Sequence, residues 1–148
     1  MSKTKVLLVG YGYWGPNLAR NLNQNSNVEF TGILEIDQDL HAKISTDYPE
    51  IRIFNNIDDI GDDHDAAIVS TPATTHFSIG YKLLEKGLHV LIEKPLATNI
   101  DDCQKLIKIS EEKQLKLMVG HTYLYNSSVI KIKEIIDSGE IGNLLTIH

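Results

Sequence analysis

The sequence predicts an α/β fold: a doubly wound parallel sheet with helices on both faces. Three observations carry this. Strand-length apolar runs alternate with stretches of helical periodicity along all 148 residues, the pattern of repeated strand-helix-strand units. The runs are continuously apolar rather than alternating, as strands covered on both faces require. They end in polar or glycine-rich loops, where a parallel sheet opens its ligand crevice.

Lys5 to Val9 (KVLLV) is the first strand, cut off by Gly10. Pro16 suits the first turn of the helix that follows, because its missing N–H would have no partner there. Leu18, Ala19 and Leu22 give that helix its apolar side. Val28 to Ile36 reads as the second strand, Asp39 to Thr46 as a helix and Arg52 to Phe54 as a short third strand. After the acidic turn GDDHD, Ala66 to Val69 is the fourth. Phe77, Tyr81, Leu84 and Leu88 fall at helical spacing, and Gly87 supplies the left-handed stop. His89 to Ile92 is strand five. Thr98 is the expected N-cap of the next helix, which has Asp101 and Asp102 in its first turn and Ile100, Cys103, Leu106, Ile107 and Ser110 along one side. Leu117 to Val119 is strand six, Val129 to Asp137 a last helix closed near Gly139, and Leu144 to Ile147 the beginning of a further strand.

Length and a hydrophobic share of 42% suit one compact domain. Lys and Arg number 14 against 20 Asp and Glu, with no basic cluster to neutralise a phosphodiester backbone, so nucleic acid is excluded as a partner. A small molecule is expected instead. Cys103 is the only cysteine and lies on an apolar helix face. It is read as a structural thiol, and the absence of a disulfide framework points to the reducing cytoplasm. The apolar run in MSKTKVLLVG is too short for a signal sequence or a membrane span, so no membrane is expected. There are no internal repeats.

Gly10, Gly12 and Gly15 form a G-x-G-x-x-G motif directly after strand one. Such a loop turns tightly at the first glycine, lets a pyrophosphate approach the backbone at the second and packs helix on strand at the third. The helix N-terminus adds unpaired N–H groups and a partial positive charge. Glu35, 20 residues beyond Gly15 at the end of strand two, is placed to accept hydrogen bonds from the ribose of an adenosine and to repel the 2′-phosphate of NADP. NAD is therefore the expected cofactor, preferred over NADP. Asp37 is the rival for the ribose. A methyltransferase also uses a glycine loop and an acid after strand two, so this pair leaves more than one function open.

Three more stretches follow strand ends: STPATTH (Ser70 to His76), EKP (Glu93 to Pro95) and VGHTYLYN (Val119 to Asn126). With GYGYWGPNLARN they resemble the N-terminal half of the Gfo/Idh/MocA oxidoreductases, the glucose-fructose oxidoreductase and inositol dehydrogenase family. The resemblance covers essentially the whole chain. It implies a Rossmann domain over residues 1–125, with residues 126–148 forming a helix and first strand that lead to a C-terminal α+β substrate domain absent from this sequence.

The same resemblance implies the site. Lys94 would move the hydroxyl proton as hydride passes between a carbinol carbon and the nicotinamide, chemistry that needs a base or acid beside the reacting oxygen. His121 resembles a position near the nicotinamide or substrate, and these two are the candidate catalytic residues. Cofactor contacts are expected from Gly10, Gly12, Tyr13, Trp14, Gly15, Glu35, Ser70, Thr71, Pro72, Thr74, His76, Glu93 and Lys94. Tyr13 and Trp14 would flank the cofactor or simply cover the sheet edge, and His76 is equally a helix-start residue. The Lys94–Pro95 bond is expected to be cis. His41, His64 and His89 show no ligand spacing, and no metal is expected. The implied activity is an NAD(P)-dependent oxidoreductase acting on a hydroxyl of a sugar, sugar nucleotide or cyclitol, and the form GHTYLYN most resembles branches that oxidise nucleotide-linked sugars. The isolated chain would then lack turnover, and a non-catalytic NAD-binding module is the alternative. A homo-oligomer is left open.

Overall fold

The computed structural model describes residues 2–146. Six strands, β1 (Thr4–Val9), β2 (Val28–Leu34), β3 (Arg52–Phe54), β4 (Ala66–Val69), β5 (His89–Ile92) and β6 (Leu117–Val119), pair in parallel in the order β3-β2-β1-β4-β5-β6. The helices are α1 (Gly15–Gln24), α2 (His41–Asp47), α3 (His76–Glu85), α4 (Ile100–Glu112) and α5 (Ser127–Asp137). Strand order reverses between β1 and β4, where the chain returns to the middle of the sheet, and the crevice of a doubly wound sheet opens at that point.

Side-chain alternation along β1 divides the core into two layers. Val6 and Leu8 pack with Ala19 and Leu22 of α1, Ile44 of α2 and Phe30 and Ile33 of β2. Leu7 and Val9 join Leu83 and Leu84 of α3, Leu106 and Ile109 of α4, and Val69 and Ile92 on the other side. Both layers are buried, which is why the strands read as unbroken apolar runs. The β1–β2 register slips between Val6 and Leu7, leaving Thr31 as a bulge whose hydroxyl donates to the Val6 carbonyl.

Several expected boundaries move. Strand pairing on β2 ends at Leu34, opposite Phe54, so Ile36 lies outside the sheet and is 77% exposed. A 3₁₀ turn at Gln38–Leu40, capped by Asp37, precedes α2, which starts at His41. Asn99, not Thr98, caps α4: its side chain accepts the Asp102 N–H at 2.9 Å. The buried side of α4 is formed by Leu106, Ile109 and Ser110; Ile100 and Ile107 point outward, and Cys103 is half-buried against the core. Leu144 to Thr146 form no strand, and Ile147 lies outside the described residues. Among the described residues no helix is long and apolar enough to cross a membrane, and no group of three His, Cys, Asp or Glu is placed to hold a metal ion.

Candidate functional site

The glycine loop leaves β1 at Gly10, whose φ of +94° is a backbone conformation that side chains resist. Space forbids a side chain there as well: a Cβ would stand 2.9 Å from Thr71 Cγ2 and 3.0 Å from the Ser70 carbonyl. At Gly15 a Cβ would come within 2.5 Å of the Gly10 carbonyl, so the first and third glycines allow β1, the loop and α1 to touch. Gly12 is different. A Cβ there would meet nothing within 4 Å, which leaves its outer face open to a ligand. The α1 N-terminus beside it has no side-chain cap, whereas α4 and α5 are capped by Asn99 and Asn126. Pro16 has no N–H and the Asn17 N–H donates to the Trp14 carbonyl at 3.1 Å, so the Gly15 N–H is the first-turn donor left for an external anion among the described residues.

Between the glycines, Tyr11 turns inward and is 2% exposed. Its hydroxyl lies 3.2 Å from Asp47, and its ring meets Tyr48 edge-on at 6.4 Å. Burial, with Tyr48 and Asp47 close by, holds the phenol protonated well above its usual range. Asp47 in turn accepts from Lys43, the main reason its carboxyl sits below the usual carboxylate range. Tyr11 was not among the sequence-predicted site residues; an aromatic between two motif glycines was the signal.

Glu35 is 7% exposed and holds the loop from the other side. Its Oε2 accepts the Tyr11 N–H at 2.6 Å and its Oε1 the Asp37 N–H at 2.9 Å. Each carboxylate oxygen has a second lone-pair direction, so capacity for a ligand hydroxyl remains. Asp37 is exposed, and its Oδ1 accepts from the Asp39 N–H at 3.0 Å. Glu35 and Asp37 share a depression of about 370 Å³ with Gly10, Gly12, Ser70, Thr71 and Pro72.

A second depression, about 470 Å³, continues on the far side of Ser70 and Thr71. Tyr13, Trp14, His76, Glu93, Lys94, Thr122 and Tyr123 complete its wall. Lys94 also borders a third, mostly apolar hollow with Gly120, His121 and Leu124, so His121 stands beside Lys94 but outside the main cleft. The Lys94–Pro95 peptide is cis, as expected. Tyr13 at 97% and Trp14 at 46% exposure stand clear of the sheet rather than covering it.

Most of the predicted residues therefore meet in one continuous crevice along the carboxyl ends of β1, β4 and β5. Two do not. Thr74, expected to contact the cofactor, is exposed and lines neither depression; its neighbour Thr75 lines the first, donates to the Pro72 carbonyl at 2.7 Å and lies 2.8 Å from Thr71 Oγ1. His76 is 1% exposed with both ring nitrogens facing main-chain carbonyls, so its polar atoms are turned away from the cleft it borders. Thr122 and Tyr123 were missed as lining residues although they lie in a recognised motif.

Comparison with known proteins agrees with this architecture. The chain is 33% identical over 150 residues to an inositol 2-dehydrogenase of Salmonella typhimurium, covering 97% of this chain and 44% of that protein. It is 28% identical over 154 residues to a 2,7-anhydro-N-acetylneuraminate hydratase of Mediterraneibacter gnavus, covering all of this chain and 39% of the relative. Among solved structures, GenD2 from gentamicin A biosynthesis in complex with NAD superposes with a TM-score of 0.88 at 24% identity, over 95% of this chain and 40% of that one. The chain thus spans about two fifths of the length of the relatives it matches. The family model described as oxidoreductase family, NAD-binding Rossmann fold, matches residues 4–121. This chain accordingly belongs to the Gfo/Idh/MocA family of oxidoreductases and provides that family's NAD-binding fold.

Proposed function

We propose that the protein is an NAD-dependent oxidoreductase that acts on a hydroxyl-bearing carbon of a sugar, sugar nucleotide or cyclitol, and that this chain is its cofactor-binding half. The observation that carries the reading is that the two depressions share the wall formed by Ser70 and Thr71, one reaching the acids after β2 and the other Lys94 after β5. The open face of Gly12 and the uncapped α1 N-terminus suit a pyrophosphate. Glu35 and Asp37 would grip the adenosine ribose, and two carboxylates at that end would repel a 2′-phosphate, favouring NAD over NADP.

Bound nicotinamide supplies the hydride acceptor or donor. Lys94 does the proton work: with its amine uncharged, Nζ takes the proton of the substrate hydroxyl during oxidation and returns it in reduction. Glu93, its backbone neighbour, would hold the turn and balance charge at the cleft. Tyr13, Trp14 and Tyr123 present apolar faces that would exclude water around the reacting carbon. The inositol dehydrogenase relative supports a cyclitol or sugar hydroxyl as the reacting group, while the hydratase relative shows that the matched region occurs in enzymes named for a different outcome.

The test is Lys94→Ala in a preparation that turns over such a substrate. The reading predicts a fall in kcat of at least a hundredfold, the usual contribution of a positioned acid–base group, with NAD affinity changed far less. Full activity in the variant would remove Lys94 from the chemistry.

A further inference from the structure

We propose that His76 is a positioning residue that braces the cofactor loop after β4 against the turn that carries Lys94, so that the nicotinamide end of the crevice keeps its width. The proposal rests on the functional reading above. His76 opens α3, yet its side chain is directed inward and is 1% exposed. Nδ1 lies 2.7 Å from the Pro95 carbonyl and Nε2 lies 2.8 Å from the Thr71 carbonyl. One rigid ring therefore spans two loops that follow different strands.

Both loops need such a link. The sheet's ladder reaches only to Ser70, whose N–H donates to the Val9 carbonyl, and to Glu93, whose N–H donates to the Val69 carbonyl. Beyond those bonds Thr71 and Pro95 have left the sheet, and their separation is set by what lies between them. On one side the brace continues through Thr71, whose Cγ2 fills the space a Cβ at Gly10 would need, into the glycine loop. On the other it ends one residue from Lys94. A flexible amide could reach either carbonyl but would not fix the distance between them, whereas imidazole holds its two nitrogens on opposite edges of a plane. A neutral ring has one N–H and donates to one carbonyl in each tautomer; only the doubly protonated ring donates to both.

The experiment compares wild type, His76→Leu and His76→Gln in the 148-residue chain. Affinities for NAD and for ADP-ribose, which lacks the nicotinamide, are measured by calorimetry, with amide NMR spectra of each protein without ligand. The brace predicts that His76→Leu weakens NAD at least tenfold, about 1.4 kcal/mol, while ADP-ribose changes less than threefold, and that His76→Gln recovers part of the loss by restoring one donor. It also predicts amide shifts in His76→Leu at both Ser70–Ala73 and Lys94–Leu96. Equal losses for the two ligands would reduce His76 to a general structural residue and overturn the proposal. So would unchanged NAD affinity, or ligand-free shifts confined to α3. If wild type binds neither ligand, the cofactor reading falls, and the ligand-free shifts still decide the brace. Should His76→Leu fail to unfold cooperatively, the same NAD to ADP-ribose comparison is read from His76→Gln.

Discussion

His64 shows how a single side chain ties stability to pH away from the crevice. Its Nδ1 lies 2.7 Å from Thr31 Oγ1, a hydroxyl that also stands 3.1 Å from the Val6 carbonyl. Nε2 is buried and makes no hydrogen bond among the described residues, with the Asp63 carboxylate 3.4 Å away. Burial is the largest cause holding its pKa below the ordinary histidine value of about 6.5; Arg52 and Lys5 act in the same sense, and Asp63 and Asp65 oppose them. The sign follows from which state takes the proton. Above about pH 6.5 both folded and unfolded histidine are neutral and the group contributes nothing. As pH falls below that value the unfolded chain protonates first, so stability drops until the folded pKa is reached. Thermal unfolding between pH 7.5 and 5 should show a steeper loss for wild type than for His64→Asn, whose amide can still hydrogen-bond Thr31 in either direction. Parallel curves would mean that His64 protonates freely in the folded state.

At this scale the placement of Glu35, Lys94 and the motif glycines at the crevice was legible, because it follows from distance to a strand end. Tyr11, Thr75 and the inward turn of His76 were not. Each depends on a neighbour distant in sequence or on which way a loop residue faces, and neither leaves a periodic trace. Glu35 was legible as an acid facing the crevice, but its bonds to the Tyr11 and Asp37 amides appear only once β1 and β2 are side by side.

Among the elements, the helix termini carry the clearest contrast. Asn99 accepts the Asp102 N–H and also donates from its amide to the Asp102 carboxylate at 2.7 Å. That reciprocal pair, with Lys105 Nζ 3.2 Å away, keeps the Asp102 carboxyl below the usual carboxylate range, the Asn99 bond being the larger cause. Asn99→Ala should cost about 1 kcal/mol, read as a lower denaturation midpoint with unchanged slope. A loss below about 0.3 kcal/mol, well short of the usual cap effect, would show that the cap is idle. Sequence alone favoured Thr98 because both residues are good caps one position apart; the choice is made by where the Pro95–Ala97 segment delivers the chain. By the same logic β2 runs short, since β3 offers it partners only as far as Phe54.

For the whole molecule, the order β3-β2-β1-β4-β5-β6 is what makes one crevice out of four separated motifs. Parallel topology and the placement of motifs after strands could be read from alternating apolar runs and helical periods. The widths of the crevice could not, because they are set by loop-to-loop contacts such as the one through His76. Exposed apolar side chains gather after β6, at Tyr123, Leu124, Tyr125, Val129, Ile130 and Ile132, and Tyr13, Trp14 and Ile36 add to them in the glycine loop and after β2. The account therefore turns on the crevice itself.

Its most direct test is an amide NMR titration of the 148-residue chain with NAD, repeated with NADP. Saturable shifts at Gly12 to Gly15, Glu35 to Asp37 and Ser70 to Thr71, with NADP binding at least tenfold weaker, about 1.4 kcal/mol, are the predicted result. No saturable shift at those residues from a folded chain at millimolar NAD, or saturation centred elsewhere on the surface, would contradict it.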